Sequence, residues 1–214
     1  MLRGHRKPAS NVEEGGFGVM RSARDLVGKP VGICKDFITE QERKQLLYYA
    51  KSPNAGWETY LPLSDVWHGR IVNPRGMPPK VLKLMASIRR RAARTIKAHY
   101  EIDAPVYADT LQLVRWHPGN AQAPHADCEE PDGRPNAYPW RAFASIIYLN
   151  EDFEGGQIHF PELGLEPTIR PRMLAYFPST ADYLHGVKEI TGGTRYTHSC
   201  FYTFDPSRHD GYAV

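Results

Sequence analysis

Cysteine is scarce in this 214-residue chain: there are three, Cys34, Cys128 and Cys200, odd in number, far apart and in no Cys-x-x-Cys spacing. That excludes a disulfide framework and a zinc knuckle, and makes a reducing cytoplasm the expected compartment. Long apolar runs are missing as well. Nowhere do eighteen apolar residues follow one another, so no membrane partner is expected, and the first twenty residues hold charge and glycine where a secretory leader would be apolar. Nor does one sign of charge dominate: 27 Lys and Arg against 24 Asp and Glu leave a formal +3. Without a basic arm, no nucleic acid partner is expected. The chain contains no internal repeat.

Present instead is material for one core, with 41% hydrophobic and 11% aromatic residues, and an unusual supply of turn formers, 18 Pro and 18 Gly. Residues 1–28 lack periodicity and read as a flexible tail. The sequence Thr39-Glu-Gln-Glu42 is a capping box that opens a helix running to about Lys51. Residues 52–78 read as a long irregular loop. After Pro78-Pro79, apolar residues at Val81, Met85, Ile88, Ala92 and Ile96 recur every three or four positions, which predicts a helix of about twenty residues. The basic residues Arg89, Arg90, Arg91, Arg94 and Lys97 read as its solvated face. Beyond Glu101 the pattern turns to short β-branched and aromatic segments at 109–116, 142–149, 156–160, 166–170, 173–177, 184–189 and 194–204. The expected fold is α+β, mainly β: a jelly-roll core over 106–205, two helices of a support region 29–105 packed on one face, and a C-terminal tail 206–214.

The chemistry concentrates at Pro124-His125-Ala126-Asp127. In extended chain, residues two apart share a face, so the imidazole and the carboxylate can grip one ion. A third ligand should come from another strand, and His185 stands 58 positions after Asp127. Two imidazoles and one carboxylate on one face of a metal leave positions open, the arrangement of non-haem iron(II) oxygenases, whereas structural zinc prefers a closed tetrahedron. A His-x-Asp pair in a chain with nine histidines is weak by itself. Arg195 adds to it, because an arginine on a core-facing strand needs an anion, and its planar fork matches a carboxylate. Ser199 shares its face and offers a hydroxyl. Cys128 follows Asp127 directly and is expected to face away.

The run Leu111-Gln-Leu-Val-Arg-Trp-His-Pro-Gly119, then His125-Ala-Asp127, Ser145-Ile-Ile-Tyr-Leu-Asn150, Glu154-Gly-Gly-Gln-Ile158, His185-Gly-Val187 and Thr194-Arg195-Tyr196 resembles, in order, the core of the iron(II)/2-oxoglutarate dioxygenases, in their prolyl-4-hydroxylase-like branch. The resemblance spans about residues 106–205. It implies that His125, Asp127 and His185 are iron ligands, that 2-oxoglutarate chelates the metal and reaches Arg195 with its distal carboxylate, and that Tyr148 and Ser199 assist there. It implies O2 as oxidant, ascorbate as an optional reductant, and release of succinate and carbon dioxide as an aliphatic C–H is hydroxylated. Trp116 departs from the tyrosine common in that branch. Asp127 speaks against a halogenase, and Phe201 stands where nucleic-acid demethylases carry a second arginine.

With no second domain evident to recruit a macromolecule, the expected substrate is a small molecule, an amino acid or biosynthetic intermediate. A prolyl or other side chain in a peptide is the first alternative, and a non-catalytic metal- or 2-oxoglutarate-binding module the next. Arg115, Trp116, His117 and Trp140 are the candidate substrate contacts. The residues are silent on oligomeric state.

Overall fold

The sequence alternates short strands with turns, and in the computed structural model, which describes residues 22–57, 67–72 and 74–211, those strands build antiparallel sheets with two helices on one side. Part of the N-terminal tail (1–21), residues 58–66 of the expected loop and the last three residues lie outside the described part. In chain order the elements are β1 Gly32–Cys34, α1 Glu40–Lys51, β2 Ile71–Val72, α2 Pro79–Tyr100, β3 Tyr107–Trp116, β4 Gln122–His125, β5 Arg141–Tyr148, β6 Phe153–Gly155, β7 Ile158–His159, β8 Leu174–Pro178, β9 His185–Val187, β10 Ile190–Gly193 and β11 Arg195–Thr203.

Both helices begin where capping chemistry says they should. Thr39 Oγ1 accepts the Glu42 N–H at 3.2 Å while the Glu42 carboxylate accepts the Thr39 N–H at 2.8 Å, so two orphan donors of α1 are satisfied. Helix α2 starts at Pro79, whose missing N–H costs nothing there, and ends on Glu101 in the left-handed region.

The large sheet runs β1-β8-β5-β11-β3-β2, and a small sheet β4-β9-β7 lies across its open face; β6 and β10 form a separate pair. Strand pleating assigns the two faces. On β11, Tyr196, Cys200 and Tyr202 join Leu111, Leu113, Phe143 and Ile147 under the helices, where they meet Met85, Ile88, Ala92 and Ile96 of α2. The Phe143 and Tyr202 rings stack there at 4.9 Å. The opposite face, with Ala144, Tyr148, Ala175 and Phe177, packs on Ile158, Phe160 and Tyr183. Each fully buried side chain of this kind stabilises by roughly 1.5–3 kcal/mol.

Three segments differ from the sequence expectation. Residues 166–170 form no strand, because Pro167 and Pro171 cannot donate to a ladder. Part of the expected tail is packed: residues 23–26 form a 3-10 turn with Leu26 fully buried. At the other end Asp210 pairs with the buried Arg89 of α2.

Candidate metal centre and co-substrate cavity

Strand β4 pairs with β9 so that His125 lies opposite His185, and the chain carries on two residues to Asp127. The register therefore brings together residues 58 or more apart. Asp127 Oδ1 lies 3.7 Å from His125 Nε2 and Oδ2 3.7 Å from His185 Nε2, and one donor atom from each of the three residues falls within 4.8 Å of the others. Among the described residues this is the group with the composition and spacing to hold a metal ion.

Hydrogen bonds orient the donors. His125 Nδ1 is 3.1 Å from Ala123 O and His185 Nδ1 is 3.1 Å from Tyr183 O, contacts a carbonyl can make only with a protonated Nδ1. The Nε2 atoms are thus unprotonated and lie 3.7 Å from Asp127, that of His125 also accepting from the Gln122 amide at 3.2 Å, and this is the tautomer a metal needs. Phe177 and Phe160 flank His185, with ring centroids 4.4 and 5.8 Å away. Burial, opposed by the Asp127 charge, pushes the His185 pKa down to about 4, so the ring is neutral at physiological pH. Asp127 Oδ2 is buried without a hydrogen-bond partner. A buried carboxylate oxygen without a donor is costly, and a cation between the three side chains removes that cost.

From this cluster a cavity of about 260 Å³ runs along the large sheet. Alternation on β11 turns Arg195, Thr197, Ser199 and Phe201 into it. Arg195 is 1% exposed, its guanidinium 5.1 Å from the Tyr148 ring and 5.8 Å from the Trp116 ring. Burial pulls the Arg195 pKa down and pushes the Tyr148 phenol up, each against their mutual attraction. Neither Arg195 Nε nor the Tyr148 hydroxyl completes a hydrogen bond of good geometry. A buried guanidinium with an unpartnered Nε, set against a buried phenol, is a receptor for a carboxylate. Gly156 lets Arg195 lie flat, since a Cβ there would stand 3.3 Å from Arg195 Cδ and 2.2 Å from Ile190 Cδ1.

Of the expected substrate contacts, Trp116 lines the cavity and the other three do not. Arg115 points to the opposite face, over Trp57 at 4.4 Å and donating to Gly69 O. His117 is exposed, with Nδ1 3.2 Å from Thr194 Oγ1. Trp140 packs between Tyr138 and Arg208. Cys128 faces the helix-side core, as its adjacency to Asp127 implies.

Arg141, the neighbour of Trp140, does line the cavity, although the alternation of β5 would have turned it toward the helices with Phe143. A bulge at Ala142 reverses it: Tyr202 pairs with Phe143 while Thr203 pairs with Arg141. A second bulge on β3 leaves Asp109 unpaired at the same level, and Arg141 Nε donates to Asp109 Oδ2 at 2.9 Å. The guanidinium lies 3.7 Å from the Phe201 ring and 3.9 Å from Tyr138 and lines the cavity.

Known proteins resemble this chain in both sequence and fold. Residues 111–203 match the sequence profile of the 2OG-Fe(II) oxygenase superfamily. Prolyl 3-hydroxylase 1 of Mus musculus is 28% identical over 154 residues, covering 62% of this chain and 21% of that protein. Prolyl 3-hydroxylase 2 of Gallus gallus is 27% identical over 246 residues, covering 94% and 35%. The chain thus spans between a fifth and about a third of the length of these relatives. Among solved structures, a viral collagen prolyl hydroxylase from Paramecium Bursaria Chlorella virus-1, in complex with 2OG, superposes with a TM-score of 0.61 at 16% identity, over 82% of this chain and 96% of that one. A prolyl hydroxylase from Trichoplax adhaerens, in complex with a hypoxia inducible factor peptide fragment, gives 0.61 at 16%, over 87% and 89%. Residues 111–203 thus carry the sequence pattern of the 2OG-Fe(II) oxygenase superfamily, and the chain has the fold of its prolyl hydroxylases.

Proposed function

We propose that this protein is a 2-oxoglutarate-dependent hydroxylase acting on a prolyl-type side chain within a flexible peptide. His125, Asp127 and His185 would hold the iron. Arg195 would receive the distal carboxylate of 2-oxoglutarate, with Tyr148 and Ser199 beside it, and the orphaned Asp127 Oδ2, Arg195 Nε and Tyr148 hydroxyl are the polar atoms these groups would satisfy. Iron(II) and 2-oxoglutarate together supply the transfer of one oxygen atom from O2 into a C–H bond, with succinate and carbon dioxide leaving. The protein's part is positional. Phe160 and Phe177 exclude water from the His185 side, and burial keeps that imidazole unprotonated.

A free small molecule is the first expectation from sequence; the comparisons favour the peptide. The observation that carries this reading is the naming of the relatives, prolyl hydroxylases in sequence and in structure, one of them with a peptide bound. The cavity mouth is consistent with it: the Arg141 fork, held by Asp109, presents donors suited to backbone carbonyls, and Phe201 and Tyr138 offer ring faces to an apolar pyrrolidine.

The test compares proline-containing peptides with free proline and other amino acids, under iron(II), 2-oxoglutarate and O2, reading succinate release and the gain of one oxygen by mass spectrometry. Hydroxylated peptide with untouched free amino acids is the expected result. Faster turnover of a free amino acid than of any peptide would return the small-molecule reading to first place.

A further inference from the structure

Strands β4 and β9 are short, and their register shifts between Gln122 and His125, so their own pairing is a weak frame for the metal centre. Segment 179–184 reinforces it. Asp127 and Cys128 both donate their backbone N–H to Ser179 O, at 3.0 and 3.1 Å. Glu129, two residues past Asp127 and 7% exposed, accepts the Ala181 N–H at 2.7 Å and the Arg24 guanidinium at 2.7 Å. Tyr183, two residues before His185, gives its carbonyl to His185 Nδ1 and its hydroxyl to the carbonyls of Leu26 and Lys29, at 3.2 and 2.5 Å. Arg24, Leu26 and Lys29 belong to one N-terminal stretch, anchored by the fully buried Leu26.

One turn therefore grips the Asp127 segment through Glu129 and the His185 segment through Tyr183. The geometry points to the Ala23–Leu26 turn as an outer wall of the metal centre, with Arg24, Glu129 and Tyr183 as positioning residues that set the separation of Asp127 from His185. This rests on the metal-site reading above. A buried carboxylate so close to an acidic ligand is tolerable only when paired, and Arg24 is its charged partner. Tyr183 fixes a peptide whose carbonyl selects the His185 tautomer. Partners of this outer kind orient metal ligands, and their loss typically lowers metal affinity by about 10–100-fold.

The experiment titrates the full apo-chain with cobalt(II) alone, following the visible ligand-field bands, which report both affinity and the symmetry of the ligand set. Tyr183→Phe, Arg24→Ala and Glu129→Gln should each weaken cobalt binding about ten-fold and change the band shape. Arg24→Lys, which keeps the charge, should recover most of the affinity. Arg134→Ala is the control, since it breaks an exposed ion pair with Asp132 in the neighbouring hairpin and removes only a side chain that is paired away from both ligand segments; it should bind as wild type does. Wild-type affinity and spectrum in Tyr183→Phe and Arg24→Ala would overturn the proposal. So would affinity lost equally in Arg24→Lys and Arg24→Ala, or in the Arg134→Ala control. Where Arg24→Ala does not fold, the Tyr183→Phe result decides, because that change keeps the ring and removes only the hydroxyl. Cobalt that fails to bind wild type, or still binds Asp127→Ala and His185→Ala unchanged, would refute the underlying metal site instead.

Discussion

Replacing Arg195 with methionine should make the co-substrate-free protein more stable while sharply reducing its response to 2-oxoglutarate. Arg195 is buried, its Nε is unpartnered and burial pulls its pKa down, so the guanidinium is a cost to the folded chain until an anion arrives. Methionine matches its unbranched stem and adapts to the space beside Trp116, Tyr148 and Gly156. Exchanging buried ionic groups for apolar ones has often stabilised proteins, by about 1–4 kcal/mol. Taking about 2 kcal/mol, a chain of this length should melt roughly 4–8 °C higher. The binding side runs the other way. Losing one partner of a buried charge pair costs about 2–5 kcal/mol, so 2-oxoglutarate affinity should fall about thirty-fold or more. The assay is thermal unfolding with manganese(II), with and without 2-oxoglutarate. At about 100 times the wild-type Kd, ligand adds roughly 2.7 kcal/mol to wild type and little to the variant. A folded variant that melts below wild type without ligand, or that keeps the full ligand shift, would refute this account of Arg195.

Two further outcomes concern stability. His198 is fully enclosed on β11, its Nδ1 against Gln112 O, and burial pushes its pKa from 6.5 down to about 4. Between those values the unfolded chain holds a proton that the folded chain does not, so stability should fall as pH drops from 6.5 towards 4 and level off below. The loss is on the order of 3 kcal/mol. His185 contributes in the same direction; His198→Asn should therefore flatten the urea midpoint against pH without abolishing the slope, and an unchanged slope would contradict the assignment. Gly155 has φ +73°, and a Cβ there would lie 2.0 Å from Glu189 O. Gly155→Ala should destabilise by about 2–4 kcal/mol in urea denaturation, and an unmoved midpoint would mean the β6–β10 pairing yields more easily than its geometry implies.

The ligand motif and both helices were legible in the residues because each depends on local chemistry. The Thr39–Glu42 box, the apolar stripe of α2 and the two-residue step from His125 to Asp127 involve periods and contacts that a short stretch of chain carries within itself. Arg195 was legible for a different reason, that a charge among core positions demands an explanation wherever the strand lies. Segment 166–170 holds the β-branched Thr168 and Ile169 yet forms no strand, because Pro167 and Pro171 lack ladder donors.

Arg141, the placement of Arg115, His117 and Trp140, and the grip of Arg24 and Tyr183 on the ligand segments were decided only by the tertiary structure. A single bulge at Ala142 inverts the parity that alternation assigns to Arg141, and no local pattern marks a bulge, because it exists only relative to the partner strand. The Arg24–Glu129 pair joins residues 105 apart and the Tyr183–Leu26 bond residues 157 apart. Composition and spacing chose which chemistry this chain can perform; where each side chain stands relative to it followed from strand register, which is a property of two segments at once.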